Sequence, residues 1–136
     1  MKPQRIDLRG ARSLGDVAKR VLETRLSEAR TLAGALERRE RLELHDFRIA
    51  CKRLRYALER FEALDSTLAL AADRLARLQD ELGEVHDRDV LLAILPPAMG
   101  QTERRLQSER EACVDRAILL WGELRGLMQA VDSHHF

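Results

Sequence analysis

Cations crowd the stretch His45–Phe61, HDFRIACKRLRYALERF, where Arg48, Lys52, Arg53, Arg55 and Arg60 follow a leading histidine. Groups of this kind at this density suit the capture of anions. Lysine brings a compact point charge, and arginine grips oxygen atoms two at a time. The element that must carry them is legible in the apolar residues between. Leu44, Phe47, Cys51, Leu54, Leu58 and Phe61 recur at three-and-four spacing, which predicts an amphipathic α-helix. Turning each residue about 100° from the last separates two faces. Phe47, Leu54, Leu58 and Phe61 fall on one; His45, Arg48, Lys52, Tyr56 and Glu59 fall on the other, with Arg55 at its edge. Like charges one turn apart repel by roughly a few tenths of a kcal/mol per pair, and a helix serving solubility alone would mix its signs. Two readings stand: a solvated face whose cations pair with acids on neighbouring helices, or a face that collects anions.

A second stretch, LQDELGEVHDRDVL over Leu78–Leu91, holds the other residues able to do chemistry. Asp89, His86 and Gln79 fall on or beside an apolar stripe, with His86 one turn before Asp89. An acid on the core side is expected to anchor an arginine of a neighbouring helix. Removing one partner of such a pair leaves a buried charge, at ~3–5 kcal/mol. Gly83 in mid-helix costs about 1 kcal/mol against alanine and is expected to mark a bend or a close helix contact. Arg25 and Arg110 also fall inside apolar stripes. An inward arginine is either paired with an acid or aimed at a ligand or partner chain. His45 and His86, without a third ligand, do not define a metal site, and His134–His135 near the end is a weaker signal still.

The frame for these residues is helical throughout. Of 136 residues, 45% are apolar and 35% charged, with three prolines and five aromatics, the composition of long helices in a single domain. The net charge of +1 says nothing of a polyanion partner, which must be read from local asymmetry. Met1–Arg12 is a short basic arm, with Pro3 and Gly10 against a helix, and is expected to be loosely held. Ser13 caps a first helix over 14–39, with Asp16 three positions on. Further helices are expected over 42–64, 67–95 and 101–131. The last is set off by Pro96–Pro97 and carries a seam of Leu106, Cys113, Ala117, Leu120, Leu124, Leu127 and Val131, flanked by Val114, Ile118 and Trp121. Gly122 and Gly126 are expected to permit close packing. The arrangement predicted is an all-α antiparallel four-helix bundle over 13–136. An open array completed by a second chain is the alternative. Cys51 and Cys113 at apolar positions read as buried free thiols in a reducing compartment. No apolar run reaches the ~20 residues of a membrane span. There is no P-loop, zinc spacing, HExxH or GxSxG, and no obvious nucleophile.

Taken together, Leu44–Phe61 and Leu78–Leu91 resemble the CHAD domain family, the conserved-histidine α-helical domain. The first is similar to the family's His-x-x-Arg-x-x-x-(Arg/Lys)-Arg-x-Arg helix, the second to its LG-x-x-(Arg/His)-Asp-x-Asp-Val helix. Each alone is suggestive; the ordered pair is specific. The resemblance covers about residues 44–95 and implies helical hairpins built as two similar halves that bind inorganic polyphosphate in a basic groove. By position it implies His45, Arg48, Lys52, Arg53 and Arg55 as binding residues, with Gly83, His86, Asp87 and Asp89 in support; Arg25, inside its apolar stripe, joins the binding set. Lys52 and the Tyr56-x-x-Glu59 pattern resemble the family's second repeat. One copy of each motif stands here, where the family usually carries two, so the chain is expected either to pair as a homodimer that restores the twofold arrangement or to be part of a longer protein.

The function expected on these grounds is polyphosphate capture without chemistry, with no cofactor or metal, in a cytoplasmic protein able to associate with polyphosphate granules. Binding should weaken with salt. It should strengthen toward pH 6, where His45 adds charge. The competing expectations are a histidine phosphotransfer module, in which His45 with Arg48 a turn later is the phosphate carrier, and a ligand-free structural dimer. Nucleic acid is disfavoured: there is no helix-turn-helix, and aromatics for base stacking are nearly absent.

Overall fold

A computed structural model describes residues 2–132, the side chains of 130–132 excepted. The chain forms α1 (Leu14–Leu32), a single turn α2 (Ala35–Arg38), α3 (Arg41–Phe61), a 3-10 turn (Glu62–Leu64), α4 (Ser66–Ile94) and α5 (Gly100–Asp132). The four long helices pack against one another in an all-α bundle, and no strand occurs among the described residues.

The starts of α1, α3 and α4 are each written in the side chain that precedes them. Ser13 Oγ accepts from the Asp16 amide at 3.0 Å, and Asp16 reaches back to the Arg12 amide at 2.9 Å. Glu40, a residue type less usual at this position, caps α3 with both carboxylate oxygens, on the Leu42 and Glu43 amides. Asp65 caps α4 through the Thr67 amide. Pro96 and Pro97 stop α4, and Leu95 is extended because the residue before a proline is kept out of the α region. The helix expected over 14–39 is divided: it breaks at Ala33–Gly34, resumes for one turn, and ends at Arg39, whose φ of 59° lies in the left-handed region. α3 then begins at Arg41, one residue earlier than expected.

Cross-helix pairs fix the directions. Arg55 meets Gln79, and His45 meets His86, so α3 and α4 run antiparallel. Arg110 meets Asp89, Arg116 meets Glu81, and Arg74 meets Glu123, which sets α5 antiparallel to α4. α1 packs on α3, and α5 reaches across to the α2–α3 corner, where the rings of Phe47 and Trp121 meet edge to face at 5.2 Å. One apolar core runs through all four long helices, with Leu26, Phe47, Leu54, Leu58, Leu75, Leu78 and Leu124 fully enclosed. Cys51 and Cys113 are buried free thiols, and burial pushes the Cys51 thiol well up.

Some packing departs from the sequence reading. In α5, Val114, Trp121 and Met128 lie in the core, while Leu120 and Leu127 are half-buried at its edge. The inward line is turned slightly from the expected seam. Gly122 and Gly126 face no neighbour within 4 Å among the described residues, so they mediate no close approach there. The basic arm is held rather than loose. The Gln4 amide donates to buried Glu28 at 2.8 Å, and the Arg20 guanidinium donates to the carbonyls of Asp7 and Arg9. His134 and His135 lie outside the described residues.

Candidate anion-binding cleft between α3 and α4

α3 and α4 are packed so that the basic face of one helix borders the second motif of the other. The cleft between them is lined by Arg41, Leu44, His45, Arg48, Leu82, Val85, His86 and Asp89. Leu44, Leu82 and Val85 form its apolar floor and belong to the core. The imidazoles of His45 and His86 face each other across it, with ring centres 5.6 Å apart. Gly83 lies beside the Arg48 guanidinium: a β-carbon there would come within 3.9 Å of it, ordinary contact. α4 runs unbroken through this glycine, so the position provides a near neighbour for Arg48 and no bend.

The charges of the cleft are unevenly matched. Arg48 makes no hydrogen bond or ion pair among the described residues. Lys52, one turn on, is exposed; its ammonium lies 5.8 Å from the centre of the Tyr56 ring, within cation–π range. Arg55 donates to Gln79 Oε1 at 3.1 Å and stands 3.4 Å from Glu59. Elsewhere Arg38, Arg39, Arg74, Arg88 and Arg116 each rest on a carboxylate, while exposed arginines such as Arg60, Arg104 and Arg125 have no such partner among the described residues.

Asp89 is the acid of the cleft, and it is occupied. Its carboxylate takes the Arg110 Nε–H of α5 at 2.6 Å, both side chains being 9% exposed. Arg110 also donates to the carbonyl of Arg39 at 2.9 Å. Arg39 in turn pairs with Glu111 and Asp115 of α5, and those carboxylates hold its guanidinium above its ordinary pKa, Asp115 having the larger effect. The turn that launches α3, and with it the basic face, is thus pinned by α5.

The residues singled out in the sequence therefore separate into groups. His45, Arg48, His86 and Asp89 line one cleft; Gly83 abuts it, and Lys52 and Arg55 continue its basic edge along α3. Arg53 is half-buried and has partners of its own. Asp87 is exposed on α4 and does not line the cleft. Arg25 is engaged on α1, donating to Glu28 at 2.7 Å and to the Gln4 carbonyl. Arg41 lines the cleft and was not found by sequence reasoning. The signal was present, since 41, 45, 48 and 52 continue one helical line, but it counts only once α3 is known to begin at Arg41. No group of three or more metal-ligating side chains is gathered among the described residues.

The fold and the cleft together define an all-helical bundle with a cationic seam between two adjacent helices. The model of the family described as the CHAD domain matches residues 2–96, and the chain belongs to that family. No curated protein matches the chain, nor does any solved structure.

Proposed function

We propose that the chain binds inorganic polyphosphate along the α3–α4 cleft, by electrostatic capture without chemical conversion. One observation carries the reading: Arg48 and Lys52 stand on one helical line beside His45 with no carboxylate partner among the described residues. The bundle pairs Arg38, Arg39, Arg74, Arg88 and Arg116 with carboxylates; what sets Arg48 and Lys52 apart from other unpaired surface cations is their place on the line of His45, with Arg48 and His45 lining the cleft opposite His86. A run of phosphates laid along α3 meets successive cations about one turn, or 5.4 Å, apart. Arg48 offers two donors at once, Lys52 and Arg55 extend the contact, and His45 and His86 supply N–H donors from opposite walls. Gln79 and Gly83 keep α4 uncharged where it faces Arg55 and Arg48.

The reading includes a second copy of the chain. Val90, Leu91 and Ile94 are exposed on α4 just beyond His86, and an apolar margin next to a basic cleft suits a self-complementary interface that places two clefts side by side. Sedimentation of the purified protein should give a dimer mass, and a monomer at all concentrations removes this part.

The test of binding is calorimetric titration of long-chain polyphosphate at two salt concentrations, with duplex DNA as the control. The Arg48→Ala/Lys52→Ala/Arg55→Ala variant should bind at least about 100-fold more weakly. Three contacts at ~1 kcal/mol each give ~3 kcal/mol, and each 1.4 kcal/mol is tenfold. Equal affinity for duplex DNA, or unchanged affinity in the folded variant, rejects the proposal.

A further inference from the structure

The cationic line on α3 starts one turn before His45. Arg41 is the first residue of α3 and lines the same cleft as His45, Arg48 and His86. It is exposed and makes no hydrogen bond or ion pair among the described residues. The acids beside it have other bonds, and of them Glu40 is near enough for the Arg41 charge to help hold its carboxyl low. Glu40 turns one oxygen to the Leu42 amide and the other to the Glu43 amide. Glu43 pairs with Arg38. Asp89 holds Arg110.

We infer that Arg41 is a direct ligand contact, the outermost rung of the cleft at the N-terminal end of α3. This rests on the polyphosphate reading and extends it. Three features support a contact over a solvated charge. Arg41 precedes Arg48 by seven residues, close to two full turns, so both side chains leave α3 in nearly the same direction. Its backbone is fixed by the Glu40 cap and by the Arg39 carbonyl held on Arg110, so its guanidinium starts from a defined point. It also lines the cleft together with His86 and Asp89 of α4, so residues of both helices border this end of the line. Arg41 to Lys52 then spans eleven residues, about 16 Å of helix, against about 10 Å from His45 to Lys52.

The experiment measures the dependence of polyphosphate affinity on salt for wild type, Arg41→Ala, Arg41→Lys and, as a charge-matched control on α5, Arg104→Ala. A phosphate contact contributes counterion release, so losing it flattens the slope of log affinity against log salt by about 0.7, the single-strand value. Arg41→Ala is expected to bind about 3- to 10-fold more weakly at low salt with that flatter slope. Arg41→Lys should retain the slope, and Arg104→Ala should match wild type. A structural role moves affinity through stability and leaves the slope alone, and melting curves identify any variant that is not folded. An unchanged slope in folded Arg41→Ala overturns this inference while leaving the cleft reading intact, as does an equal change in Arg104→Ala. A wild-type protein that does not bind polyphosphate overturns both.

Discussion

Arg110 divides its guanidinium among three acceptors: Asp89 on α4, Glu111 on its own helix and the Arg39 carbonyl at the α2–α3 turn. Buried as it is with Asp89, it joins the acid at the back of the cleft to the start of the basic helix. Asp89→Ala leaves the guanidinium without its closest anion and should cost ~3–5 kcal/mol in urea denaturation. The double change Asp89→Leu/Arg110→Met should recover most of that loss, since an apolar pair replaces a desolvated one. A loss below about 1 kcal/mol for Asp89→Ala would mean that Glu111 alone satisfies Arg110. Glu40 governs the same turn from the outside. Hydrogen bonds from the Leu42 amide first, and then Glu43, hold its carboxyl below the usual glutamate range. An acid held low in the folded state stabilises above its unfolded pKa, and that contribution is lost as pH falls through the lower folded value. Thermal melts of Glu40→Ala against wild type should differ at neutral pH and converge on acidification. A gap that persists well below the glutamate range would contradict this.

At the scale of the helix, the sequence was a good guide to what each face does and a poorer guide to where it starts. The basic and apolar sides of α3 follow from a period of 3.6 residues, and that is why His45, Arg48 and Lys52 could be found together. The pairing of Asp89 with an arginine of a neighbouring helix was likewise legible, because a core-side acid needs a counter-charge. Arg41 was missed because its value depends on one residue of boundary, and the cap that sets the boundary is a glutamate. The hold of Arg39 on α5 had no local signal, as its partners lie more than seventy residues away. Nor could a left-handed arginine be anticipated where glycine or asparagine is the usual choice. Phe47 shows how firmly the basic face is backed: its ring is fully buried and edge-on to Trp121. Phe47→Ala should cost ~3–5 kcal/mol in chemical denaturation, and polyphosphate affinity should fall only where the variant begins to unfold.

Taken whole, the molecule depends on a helix that lies outside the family match. That match ends at residue 96, whereas α5 begins at Gly100 and contributes Leu106, Val114, Trp121, Leu124 and Met128 to buried positions. Those five side chains represent roughly 8–15 kcal/mol of burial at ~1.5–3 kcal/mol each, comparable with the whole stability of a domain, about 5–15 kcal/mol. A protein ending at Pro96 should therefore show no cooperative melt by circular dichroism and little amide protection in α4; a sharp transition would contradict this dependence on α5. The tie between Arg110 and Arg39 also has a meaning in time. Synthesis on the ribosome delivers the basic helix and its α4 wall before the helix that pins their junction. A nascent chain thus presents Arg41, His45, Arg48 and Lys52 as scattered charges on a loosely joined hairpin. They become one ordered line only when α5, made after both of them, docks and fixes the turn at Arg39.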